Sequence, residues 1–233
     1  MTFKSLQRGS IVEIVGPAGA GKSTLFKALQ KIEPRIIGEE PPPLWNRSYV
    51  QFYLRNMGRL FPLLVHLPHR EFKTFSRRIL VYMIFLTGWH DLLNKKAELV
   101  KNVILLDQGP IFMMAYSSIF GPINSQYSRF YEWRTKADYL WANTLNTIIY
   151  LDTSNETLIS RNRCRQDHAI KHISGKSDAE ARDFLERYRN VYKQIINRFT
   201  TSNDQLRVLW IDTEENSMAM TIDRVISEID SIH

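Results

Sequence analysis

Cysteine is almost absent. A single one, Cys164, in 233 residues rules out a disulfide framework within the chain and fits a reducing, cytoplasmic setting. Long apolar runs are absent as well. The longest, ILVYMIFLTGW at residues 79–89, falls well short of the roughly 20 residues that a bilayer crossing needs, so it predicts a buried helix. The N-terminal MTFKSLQRGSIVEIVG lacks the apolar stretch of a signal peptide. Glycine and proline are scarce, at 10 and 9 residues, which excludes a collagen-like or low-complexity chain. His66, His69 and His90 form no recognisable metal-binding pattern. With neither an internal repeat nor a linker, the expectation is one domain over residues 1–233.

What is present is the composition of a folded globular protein, 44% hydrophobic and 24% charged,. Five short apolar runs, SIVEIVG, RIIGE, NVILLD, TIIYLD and RVLWID, read as buried strands, with helical patterns between them. The clearest helix lies at residues 177–199, where Phe184, Tyr188, Val191 and Ile195 recur near helical spacing and Ser177 with Glu180 suggests a capping box,. Thr153 with Glu156 suggests another. Strands alternating with helices predict an α/β fold of three layers, with a five-stranded parallel sheet between helices. Ligands of such folds sit at the carboxyl edge of the strands. That edge is where the loops starting at Gly16, Glu39, Asp107, Asp152 and Asp212 should converge.

GPAGAGKST fits the pattern G-x-x-x-x-G-K-[ST] and lies between a predicted strand and a predicted helix, STLFKALQKI,. Gly16, Pro17, Ala18, Gly19, Ala20, Gly21, Lys22, Ser23 and Thr24 would then turn backbone amides and a helix N-terminus toward phosphate oxygens. Lys22 should reach the β- and γ-phosphates of ATP, and the Ser23 hydroxyl should help hold Mg²⁺. Asp107 ends the third apolar run and suits the hydrated metal; a turn-forming aspartate before Gly109 and Pro110 is the other reading. Asp152 and Asp212 read mainly as turn or cap residues.

Formal net charge is +7, and it is unevenly spread. Residues 47–78 carry six arginines and a lysine against Glu71 alone; residues 161–176 carry three arginines and two lysines against Asp167. In SRNRCRQDHAIKH, Arg161 and Arg165 are four apart, on one helix face, with Arg163 turned away by about half a turn. They suit a mobile lid that closes over a transferring phosphoryl group, or a solvated basic face. In IIGEEPPPLW, Glu39 and Glu40 are either a solvated turn or a site acid held stiffly by the prolines that follow. Neighbours in extended chain point to opposite sides, so only one of the two would enter a site.

The phosphate loop, the strand-end acid, the arginine lid and the late IDTEEN segment resemble the nucleoside and nucleoside-monophosphate kinases, with thymidylate and deoxynucleoside kinases the nearest groups. The resemblance spans nearly the whole chain and implies a P-loop kinase fold with a lid at about residues 160–176. Deoxynucleoside kinases carry a Glu-Pro at the end of the second strand and a tryptophan five residues after the glutamate, as Glu40-Pro41 and Trp45 do here. The resemblance therefore implies Glu40 as the base that takes the acceptor's proton and Trp45 as a wall of the acceptor pocket. It places Arg161 and Arg165 at the two lid arginines and Asp107 at the strand-end acid. Three positions depart from the pattern. Gln108 stands where an arginine contacts the acceptor, Met113 where an aspartate reads the base, and FLTGWHDLL offers Trp89 and His90 where an arginine grips an acceptor phosphate.

The expected activity is Mg-assisted phosphoryl transfer from ATP to an acceptor hydroxyl (of a nucleoside, a sugar or another alcohol) or to a nucleoside monophosphate. The alternative is a P-loop ATPase or switch that controls a protein, nucleic-acid or membrane partner. The expected partner is a small-molecule acceptor. The basic aromatic segment at residues 45–89 suits an acidic acceptor, a peripheral membrane contact or a solvated helix face; a homodimer is compatible with the chain, and no nucleic-acid-binding module is visible in it.

Overall fold

The computed structural model describes residues 8–65, 76–121, 128–164 and 171–231. Arg165, His66, His69 and the other residues of 66–75 and 165–170 lie outside it. Strands β1 (Ile11–Val15), β2 (Ile36–Glu39), β3 (Val103–Leu106), β4 (Thr147–Asp152) and β5 (Arg207–Asp212) coincide with the five predicted runs. They form one sheet in the order β2-β3-β1-β4-β5, with every pairing parallel. β1, which feeds the phosphate loop, is central and buried at every residue.

The helices are α1 (Lys22–Ile32), α2 (Val50–Val65), α3 (Arg77–Leu99), α4 (Pro110–Phe120), α5 (Ser128–Ala142), α6 (Asn155–Arg163), the single turn α7 (Lys171–Ser174), α8 (Asp178–Ser202) and α9 (Met218–Asp230). Side chains alternate across a strand, so β1 feeds two cores. Ile11 and Val15 join Leu86, Trp89, Trp141, Ile195 and Phe199 of α3, α5 and α8. Val12 and Ile14 join Leu25, Leu29, Leu158, Leu185 and Val225 on the opposite face. Each of these side chains, once removed from water, contributes on the order of 1.5–3 kcal/mol. A smaller cluster joins Leu60 and Leu63 of α2 to Ile79, Met83 and Ile84 of α3.

The apolar run at residues 79–89 is indeed helical and buried, within α3. Trp89 and His90 belong to its packed side: Trp89 meets Trp141 edge-on at 6.0 Å and His90 meets the same ring at 5.8 Å. The capping box of α8 has both reciprocal bonds, Ser177 Oγ accepting from Glu180 N and Glu180 accepting from Ser177 N. The second predicted box is replaced by a single cap one residue on. Ser154, not Thr153, caps α6 by accepting from Thr157 N. Glu214, in the loop after β5, accepts from both hydroxyls, from Thr153 at 3.3 Å and from Ser154 at 3.1 Å.

Candidate active site

The phosphate loop turns through three glycines with positive φ, Gly16, Gly19 and Gly21. At Gly16 no other residue fits. Its φ is +140°, and a Cβ there would lie 2.0 Å from the backbone oxygen of Leu151 on β4,. The loop arches over the start of α1, and the Lys22 ammonium donates to the carbonyls of Gly16 and Pro17 at 2.9 Å each. Asn162, fully buried on α6, braces the same loop from outside. Its amide nitrogen donates to Ala18 O and Leu158 O at 2.8 Å.

Beside the loop, Ser23 Oγ donates to Asp107 Oδ2 at 2.8 Å. Strand register explains the meeting: β1 and β3 are neighbours, so the segments leaving their carboxyl ends run side by side. β2 pairs with β3 on the other side, Glu39 opposite Leu106. The next residues of those two strands are Glu40 and Asp107, which puts both carboxylates at the same edge. Glu40 is exposed, while Glu39 is half-buried and ion-paired with Lys96 of α3.

A further carboxylate lies beneath this edge. Glu13 is fully buried on β1 and accepts from the backbone N–H of Ile111 and of Phe112 at 3.1 Å each, at the start of α4. Burial pushes its pKa up to about 8, against the pull of those amides and with a smaller push from Asp107,. Gly109 permits the approach, since a Cβ there would stand 2.6 Å from Glu13 Cδ.

Two cavities flank the phosphate loop. One, of about 440 Å³, lies between Gly19, Gly21, Thr24, Arg161 and the residues after β5, Thr213 and Asn216. Arg161 closes it, its guanidinium donating to Gly19 O at 3.3 Å and to Thr213 Oγ1 at 3.4 Å. Arg163, its neighbour on α6, points elsewhere, toward Asp178 at 2.7 Å and Lys176 O at 2.9 Å. The other cavity, of about 390 Å³, opens on Gly16, Ala18 and Lys22 and is walled by Phe112, Tyr116 and Phe120 of α4 and by Phe184, Tyr188 and Tyr192 of α8. Arg78 enters it from α3, stacked over the Tyr116 ring at 5.4 Å. Burial raises the pKa values of Tyr188 and Tyr192 above the ordinary phenol value, so both phenols are neutral hydrogen-bonding groups at physiological pH.

The structure thus gathers Gly16, Lys22, Ser23, Asp107 and Arg161 around one loop, with Glu40 at the same sheet edge. It does not bring Trp45 or Gln108 into either cavity. Trp45 is 86% exposed, with the Arg77 guanidinium 6.0 Å from its ring, and Gln108 faces solvent. Arg165 lies outside the described residues. Three contributors carry no local signal in the sequence. Asn162 sits between two lid arginines and looks polar and exposed; Arg78 is one of many cations in a basic stretch; the α4 and α8 rings read as ordinary core at helical spacing.

An all-parallel sheet in this order, with the glycine-rich loop on its central strand, is that of the P-loop kinases. Within that class the chain belongs to the deoxynucleoside kinase family, whose profile matches residues 12–232. Among solved structures, a deoxyadenosine kinase from M. mycoides with bound dATP is 18% identical, with a TM-score of 0.50 over 94% of this chain and 99% of that one. The same enzyme with the products dCMP and dCDP aligns at 19% identity and a TM-score of 0.53, covering 95% and 99%. A thymidylate kinase from Candida albicans aligns at 16% identity and a TM-score of 0.54, covering 96% and 92%. No curated protein sequence matches the chain significantly. The protein is a kinase of the nucleoside and nucleotide kinase group, with ATP as the family's phosphate donor.

Proposed function

We propose that the protein moves the γ-phosphoryl group of ATP to a hydroxyl of a small acceptor bound in the aromatic cavity beside Lys22. The observation that carries this reading is the Ser23–Asp107 hydrogen bond at 2.8 Å. It brings together, at the foot of the phosphate loop, the hydroxyl and the carboxylate that would hold Mg²⁺ and its waters. When bound, Mg²⁺ supplies charge neutralisation on the β- and γ-phosphate oxygens.

The chain's own groups do the rest. Backbone amides of residues 16–24 cradle the phosphates. Lys22 leaves the Gly16 and Pro17 carbonyls for a phosphate oxygen, and Arg161 holds the outer side of the nucleotide next to Thr213. Glu40 takes the acceptor's proton as the new O–P bond forms and the bond to the β-phosphate oxygen breaks, releasing ADP. An acceptor that is already a phosphate needs no base, so a retained Glu40 favours an alcohol. The wall of six aromatic rings suits a flat or apolar body, and Arg78 suits an oxygen-rich or negative group on it. The described lining contains no carboxylate or amide of the kind that would read the polar edge of a base.

The test is a screen of purified protein with ATP·Mg²⁺ against nucleosides, sugars, other alcohols and nucleoside monophosphates. Transfer to an alcohol is expected. Glu40→Gln should lower that transfer by roughly 10²-fold or more while nucleotide binding is kept; full transfer by the variant would remove Glu40 as base. Hydrolysis that ignores every small acceptor but responds to a macromolecule would instead support a switch.

A further inference from the structure

Helix α2 has a second apolar face that stays exposed. Leu60 and Leu63 turn inward onto α3. On the other side Val50, Leu54, Met57, Phe61 and Val65 follow each other at steps of four, three, four and four residues. They stand 48%, 69%, 40%, 63% and 60% exposed. At about 1.5 Å per residue, the ridge is roughly 22 Å long. It starts near Trp45 and Leu44, themselves exposed. Aligned apolar side chains on this scale mark an interaction surface, whereas singly scattered ones do not.

Charge identifies the occupant. Between Glu40 and Glu71 the sequence holds no acid at all, while Arg47 and Arg55 lie in the same interval and Arg59 there pairs with Asp91 of α3 at 3.5 Å. Arg47 and Arg55 are exposed, and Arg77 stands against the Trp45 ring. An apolar ridge flanked by cations, with an exposed tryptophan at one end, complements an anionic lipid surface. Acyl chains take the ridge, headgroup phosphates take the arginines, and tryptophan prefers the boundary between them. A second copy of the chain fits less well, because two such faces meeting about a two-fold axis would oppose arginines with arginines. Nucleic acid would leave the aliphatic ridge without a partner. No described helix is long and apolar enough to cross a membrane, so the contact is peripheral.

We propose that α2, with Trp45, docks this kinase on anionic membrane surfaces. The docking is separate from the choice of acceptor and stands whether or not Glu40 is the base. Flotation of the full chain with vesicles tests it, using phosphatidylcholine alone and phosphatidylcholine with about a third phosphatidylserine. The protein should float with the anionic vesicles, bind the neutral ones roughly tenfold less, and be released as salt rises. Leu54→Glu with Phe61→Glu should lower anionic-vesicle binding by roughly tenfold or more, with ATP-induced thermal stabilisation unchanged as the check on folding. Equal flotation of wild type and variant would overturn the proposal, as would failure of the wild type to float. So would a wild-type dimer that the same double substitution makes monomeric, since the ridge would then be a self-interface.

Discussion

At the scale of single residues, Glu13 links the stability of the protein to pH. A carboxyl whose folded pKa lies near 8, against an ordinary value near 4.5, is protonated in the folded chain while the unfolded chain has already ionised. The stabilisation is complete below about pH 4.5 and fades as pH rises toward 8, because only the protonated carboxyl suits the buried site,. Chemical denaturation between pH 5 and about 8.5 should show stability falling with pH, and Glu13→Gln should flatten that slope. Gly109 is tied to the same group. Gly109→Ala drives a methyl into the Glu13 carboxyl carbon, which is confined by burial, and should cost roughly 1–3 kcal/mol. Asp107→Asn should weaken the Mg²⁺ dependence of transfer while leaving metal-free nucleotide binding near wild type, measured as activity and affinity against Mg²⁺ concentration. An unchanged Mg²⁺ profile would mean that Asp107 holds no metal.

Elements show which parts of the architecture could be read before folding. The five strands are legible because a buried parallel strand is a short, unbroken apolar run, a property of adjacent residues. The phosphate loop and the Ser177 cap are legible for the same reason, since each pattern closes within a few positions. What escapes depends on partners far along the chain. Thr153 and Ser154 are equally good caps locally, and both hydroxyls meet Glu214, a residue brought in by β5 and invisible to the local pattern. Arg78 stands in the aromatic cavity because α3 begins beside α4, and Asn162 braces Ala18 because α6 packs under the loop. Neither fact leaves a trace in neighbouring residues. Ser177→Ala removes one half of the capping box and should cost about 1 kcal/mol, seen as a fall of roughly 2–4 °C in Tm. A larger fall would mean that this cap also holds the segment that precedes α8.

The whole molecule is organised about the carboxyl edge of the sheet, with the loop, the strand-end acids and both cavities on one side. Its helical layers cover the two sheet faces unevenly, because α2 rests on α3 through a small cluster of its own and leaves a face open. A ligand that gathers the loop, α6 and the residues after β5 should stabilise the whole chain by mass action. ATP·Mg²⁺ at a hundredfold excess over its Kd should add about 2.7 kcal/mol, visible as a rise in Tm. Chelation of the metal should take away part of that rise. No rise with any nucleotide would mean that the loop geometry does not bind nucleotide at all.

Trp45 also gives the molecule an optical label. Of five tryptophans, Trp89 and Trp141 are sealed in the core while Trp45 stands 86% in water. Selective excitation of indole should therefore yield a long-wavelength, acrylamide-quenchable component that Trp45→Phe lowers sharply, Trp210 at 46% exposure supplying the remainder. Because this residue lies between the Glu40 strand end and the α2 ridge, its colour would report which neighbour it serves. A blue shift on adding acceptor would place it at the mouth of a pocket, and one on adding anionic vesicles would place it in a headgroup layer.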